Sequence, residues 1–111
     1  MFLIARTPDA AKQHAQRQLA LYSWNNKQWE CLTTLWQKES NWRPQAQNKQ
    51  SVWITKDGKK IKVQAGGIPQ ILGMSPELPV EKQVAQGLKY IQARYGSPCS
   101  ALKFHLERNY Y

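Results

Sequence analysis

A chain of 111 residues, 41% hydrophobic and 21% charged, can bury one modest core and is read as a single domain spanning 1–111. It has no apolar run near the roughly 18 residues of a membrane-crossing helix. Met1-Phe2-Leu3-Ile4-Ala5 is too short for a signal-peptide core and has no basic segment in front, so the expectation is a mature fragment or another export route. Sixteen basic against seven acidic residues give a net charge of +9, which calls for an anionic partner without choosing between nucleic acid, acidic membrane surface and anionic wall polymer. Solubility alone is the plainer explanation of the same charge.

The first predicted element is a helix opened by Thr7-Pro8-Asp9: a hydroxyl cap, a proline at the first helical position and an early acid. It is expected to run to about Tyr22, with Ala11, Ala15, Leu19 and Tyr22 on one face. Asn25 or Asn26 caps a second helix carrying Trp29, Leu32, Leu35 and Trp36 at helical spacing, and Pro44 closes the segment. Over residues 51–64 the period changes: Val52-Trp53-Ile54-Thr55 and Lys60-Ile61-Lys62-Val63 flank Asp57-Gly58, a two-residue hairpin signal. Lys56, Lys59, Lys60 and Lys62 make that hairpin a positive ribbon, either a solvated face or one suited to an acidic wall polymer. After the loop Gly66-Gly67-Ile68-Pro69, the residues Val80, Val84, Leu88, Ile91 and Tyr95 mark a long amphipathic helix ended by Gly96. Ser97-Pro98 opens a last helix through Leu102 and Leu106, and the tail is Asn109-Tyr110-Tyr111. The layout is mainly α (α+β), with one hairpin inserted after the second helix.

Cys31 and Cys99 fit no metal spacing, and only His14 and His105 could complete a site, so no metal or other cofactor is expected. The pair is either two buried thiols or one disulfide. The basic, tryptophan-rich character favours the disulfide, which would tie the second helix to the start of the last and contribute roughly 4 kcal/mol by loop closure.

Glu39 carries the chemistry. It falls on the apolar stripe of the second helix, three residues after Trp36 and seven after Leu32. A carboxyl group there, flanked by Trp36 and Trp42, is either desolvated and raised in pKa or curled outward to water. The first outcome suits a general acid near neutral pH. The run Glu39-Ser40-x-Trp42-x-Pro44-x-Ala46-x-Asn48, followed by Ala65-Gly66-Gly67-Ile68-Pro69-Gln70, resembles the first two motifs of the transglycosylase SLT domain of the lysozyme-like superfamily. Gly87-Leu88-x-Tyr90-Ile91-x-x-Arg94-Tyr95-Gly96-Ser97-Pro98-Cys99, with His105 and Tyr110-Tyr111 beyond it, is similar to a third block of its small secreted members. The likeness runs from about residue 10 to the C-terminus. Gly66 stands where relatives usually have tyrosine, and the hairpin lengthens the stretch between Asn48 and Gly66.

The resemblance implies a lytic transglycosylase. Glu39 would protonate the oxygen between N-acetylmuramic acid and N-acetylglucosamine and, as a carboxylate, take the proton of the muramyl 6-hydroxyl to close a 1,6-anhydro ring. The substrate's acetamido group would help stabilise the positive charge. Ser40 would orient Glu39 or the sugar, Gln70 would hydrogen-bond the substrate, and Tyr90 would reach back toward Glu39. Trp42, His105 and Tyr110 complete the expected binding residues, with Trp42 and Trp53 offering rings that could face a sugar, whereas Trp29 and Trp36 are expected in the core. The implied partners are peptidoglycan glycan strands and anionic wall polymers, bound by a monomer outside the cell, at the wall, carried in a virus particle or released at lysis. A muramidase would cleave the same bond with water and typically needs a second carboxylate. Asp57 alone lies in the hairpin, and an Asp-Gly turn should place it at the tip, away from the cleft. An inactive wall-binding module and a nucleic-acid-binding module are the readings from other classes. The latter lacks a recognition-helix or RNA-binding pattern.

Overall fold

Thr7 begins the helical body as its sequence predicts: its hydroxyl oxygen accepts from the Ala10 backbone N–H, and Pro8 occupies the first turn of α1 (Pro8–Gln18). The computed structural model describes residues 4–108. The helix expected to reach Tyr22 tightens at Leu19–Tyr22 into a 3₁₀ turn, ended by Ser23 in the left-handed region. Asn25, rather than Asn26, caps α2 (Asn26–Ser40) by accepting from Gln28 N–H. The chain then forms β1 (Gln47–Lys56), β2 (Lys59–Gly66), β3 (Ile71–Leu72), α3 (Val80–Tyr95) and α4 (Pro98–Arg108). The fold is therefore mainly α, α+β, with an antiparallel sheet of order β1-β2-β3. The short third strand, pairing Ala65 with Leu72 and Gly66 with Ile71, was not foreseen.

One core serves the helices. Ala11 and Ala15 of α1, Leu32, Leu35 and Trp36 of α2, Val80, Val84, Leu88 and Ile91 of α3 and Ala101 of α4 meet there, joined by Trp42 and Ile68 from loops. Gly87 lets α3 lie against Trp36: a Cβ there would sit 2.7 Å from the indole and 3.0 Å from Pro69. Trp29, expected in the core, is partly buried and packs against it, while Trp36 is fully buried.

Cys31 and Cys99 form the disulfide, with their Cα atoms 4.9 Å apart. It joins the first half of α2 to the first turn of α4, and these two helices pack extensively. From the disulfide, α2 runs eight residues to Glu39 and α4 six residues to His105, about 12 Å and 9 Å at 1.5 Å per residue. The two helices travel side by side in the same direction, so the cross-link at one end registers the Glu39–His105 pair at the other.

Asp57 (φ 53°) and Gly58 (φ 76°) are the left-handed pair that a tight two-residue turn requires, and they join the partners Lys56 and Lys59. Both strands outrun the expected 51–64. The register shifts between Gln47 and Ser51, where the Asn48 side chain accepts from the Gln50 N–H and competes with the ladder.

Candidate functional site

Glu39 occupies the last turn of α2, with 13% of its side chain exposed. Burial alone pushes its carboxyl up from 4.5 to about 7, with no charged neighbour contributing. His105 of α4 brings Nδ1 to 3.0 Å from Glu39 Oε1 and is 14% exposed. Its pKa is lowered, first by burial and then by the charge of Lys38. The distance is that of an ion pair, but the two atoms lie off the line of a well-aligned hydrogen bond. Both shifts favour the uncharged forms, a carboxylic acid beside a neutral imidazole. Catalytic hydrogen bonds are often loose before substrate arrives.

Ser40 is turned inward. It is buried, and its hydroxyl donates to the Ile68 carbonyl at 2.7 Å, with a longer approach to the Trp36 carbonyl. Its role is to lock the end of α2, and with it Glu39, to the Gly66–Pro69 loop.

Trp42 is also placed differently from expectation. Asn41 (φ 53°) and Trp42 (φ 58°) both adopt left-handed backbone conformations, costing about 1–2 kcal/mol each. The reversal drops the indole back onto α2, where it is fully buried, edge-on to Trp36 at 5.1 Å and donating to the Thr33 carbonyl. Burying an indole of 150–250 Å² contributes about 4–6 kcal/mol, so burial outweighs the backbone cost. The ring is a wall of the core and has no face left for a ligand.

Gln70 sits on the loop as expected, itself left-handed (φ 54°), with its side-chain amide donating to the Gly67 and Ala46 carbonyls. It therefore staples the loop to the chain entering β1. Tyr90 is partly buried on α3. Its ring packs edge-on to Tyr95 at 6.3 Å, and the Arg94 guanidinium lies 5.7 Å from it. These neighbours belong to α3 itself. Tyr110 falls outside the described residues.

Sequence reasoning missed Gln83. It is fully buried on the apolar stripe of α3; its amide oxygen accepts from the Ile68 N–H at 2.9 Å, and its amide nitrogen donates to the carbonyls of Pro44, Pro76 and Leu78. One side chain thus joins the segment after Glu39, the glycine loop and the lead into α3. Gly66 fits the same close packing: a Cβ there would run into the Met74 carbonyl oxygen. The tyrosine that this position carries in the resembled family has no room here.

Among the described residues, no group of three or more His, Cys, Asp or Glu side chains could hold a metal ion. Asp57 is exposed at the hairpin turn. The ten residues of β1, at about 3.3 Å each, carry that turn roughly 30 Å from the hairpin's base. The base is the end adjoining the loop that Ser40 and Gln83 hold, where Gly67 N–H donates to the Ala46 carbonyl at 2.8 Å. A scan against protein-family models, a search of curated proteins and a search of solved structures each found no match to this chain.

Proposed function

We propose that the protein is a peptidoglycan lytic transglycosylase of the lysozyme-like kind, with Glu39 acting first as acid and then as base. The observation that carries this reading is a carboxyl group whose pKa burial raises to about 7, beside an imidazole and, among the described residues, with no other carboxylate contributing to that shift. The neutral acid donates its proton to the glycosidic oxygen as the bond breaks. The carboxylate left behind takes the proton of the muramyl 6-hydroxyl, whose oxygen bonds to the anomeric carbon, so the 1,6-anhydro ring closes without water and Glu39 is neutral again. His105 is the positioning residue. Once brought into line with Oε1, an Nδ1–H keeps the acidic proton on Oε2 and stabilises the carboxylate between the two steps. The amide oxygen of Gln70 meets the sugar at the rim, and Ser40 holds Glu39 in place.

A hydrolase needs a second carboxylate about 5–9.5 Å from the first. Asp57, at the turn of a long hairpin, is poorly placed for that role. The disulfide suits an oxidising setting, and no helix among the described residues is long and apolar enough to cross a membrane. Action outside the cell or at the wall fits both, whether the protein is exported, carried in a virus particle or released at lysis. The test is mass spectrometry of digested peptidoglycan. Muropeptides ending in 1,6-anhydro-muramic acid are expected; reducing-end products would make it a muramidase, and undigested strands that retain the protein would make it a wall-binding module.

A further inference from the structure

The hairpin has two unlike faces. Alternation puts Val52, Ile54, Ile61 and Val63 on one and Trp53, Thr55, Lys60 and Lys62 on the other, as the pairs Val52–Val63, Trp53–Lys62, Ile54–Ile61 and Thr55–Lys60 require. None of these apolar residues belongs to the helical core. On the polar face Trp53 is 65% exposed, and Lys62 brings its ammonium to 5.7 Å from the ring centroid. Trp53, Thr55 and Lys60 of this face, with Ile54 between Trp53 and Thr55 on the strand, line an open concavity of about 430 Å³, within the size range of small-ligand sites. Lys60 and Lys62 lie on this face, whereas Lys56 and Lys59, paired with each other, fall on the opposite one; the hairpin has one acid, Asp57, and no salt bridge among the described residues engages any of these lysines.

We propose that this face is a docking surface for an anionic polyol- or sugar-phosphate polymer of the cell wall, separate from the Glu39–His105 pair. The indole packs on the C–H face of a polyol or sugar, while Lys60 and Lys62 meet the phosphates on either side. Charge complementarity selects a polyanion, since each lysine neutralising a phosphate releases a condensed counterion and makes binding salt-dependent. The single exposed indole favours a polyol phosphate over single-stranded nucleic acid, which stacks successive bases on several aromatic rings. Because the base of the hairpin is bonded to the loop beside Glu39, a polymer held there keeps Glu39 close to the wall, raising the local concentration of glycan strands.

The proposal deepens the wall-directed reading, but its test does not depend on catalysis. The full chain is titrated with purified poly(glycerol phosphate), which has no glycosidic bond for Glu39 to cleave. Binding should weaken steeply from about 50 to about 200 mM salt. It should be about tenfold weaker in the Lys60→Gln/Lys62→Gln variant and several-fold weaker in Trp53→Ala, each with an unchanged thermal melt. Lys82→Gln/Lys89→Gln on the outer face of α3 removes the same charge and should weaken binding about twofold or less. Equal losses in the two lysine pairs, no measurable binding, or tighter binding of a single-stranded oligonucleotide of matched charge would each overturn the proposal.

Discussion

The end of α2 and the β1–β2 hairpin solve opposite problems. Around Glu39 the chain is sunk into the body: Ser40, Trp42 and Gln83 are all buried, and their polar atoms bind backbone groups of the segments they join. The hairpin stands on its own ladder, with Val52 and Trp53 exposed and its lysines in solvent. Desolvation raises a carboxyl pKa only where water is excluded, so the acid belongs to the first region. A charged polymer is met only where side chains are accessible, which describes the second. Substitutions near Glu39 should therefore alter folding and chemistry together, and hairpin substitutions should leave folding alone.

The largest effect is expected at Glu39 itself. Glu39→Gln should lower cleavage on the order of 10²–10⁴-fold, measured as release of soluble muropeptides. The same change should stabilise the protein above neutral pH. A carboxyl raised from 4.5 to about 7 in the folded state contributes most below 4.5, and that contribution is lost as pH rises through 7. Glutamine removes this loss, so urea midpoints at pH 8 should be higher in the variant than in the parent. A variant equally inactive but destabilised at pH 8 would mean that Glu39 is held in place as a charged group.

Next comes the cross-link that registers the two helices. Replacing Cys31 and Cys99 by serine opens a loop of sequence separation 68, and the loop-entropy argument gives a loss of about 4 kcal/mol, read from denaturant melts. Gln83→Leu should follow at about 3 kcal/mol, because the Ile68 N–H and several carbonyls lose their buried partner. Activity should fall with it, as the loop beside Glu39 loosens. A Gln83→Leu protein as stable as the parent would contradict the claim that this side chain holds the site together. The smallest effect is expected at the hairpin tip. Asp57→Asn should change stability by less than about 0.5 kcal/mol and leave cleavage near the parent's rate, since asparagine suits the same left-handed turn position. Collapse of activity there would bring back the hydrolase.

Much of the scaffold was legible in the residues because its signals are local. Thr7-Pro8, Asn25, Asp57-Gly58 and Gly96 each impose a backbone geometry on their own neighbours. The disulfide pairing was an option that composition favoured, and it now explains how Glu39 and His105 come into register. Trp42 was misplaced because its position depends on two successive left-handed residues that no spacing rule anticipates, with burial of the indole as the driving force. Gln83 was missed although the signal was present: a polar side chain three residues after Val80 and next to Val84 lies on an apolar stripe, the same anomaly that singled out Glu39. What no local pattern could supply was its partners, which come from segments up to 39 residues away.

Burial of Glu39 keeps a proton on its carboxyl up to a pH of about 7. Carbon-13 NMR of the Glu39 carboxyl carbon, followed against pH in the parent and in His105→Gln, measures this directly. The parent should titrate with a midpoint near 7, matching the alkaline limb of cleavage. On the acid side, cleavage should fall as His105 protonates below 6.5 and pulls Glu39 toward its charged form. In His105→Gln the acid-side fall should disappear while the carboxyl midpoint remains raised. A Glu39 midpoint near 4.5 in the parent would contradict the central claim, because the group would then be a carboxylate with no proton to give.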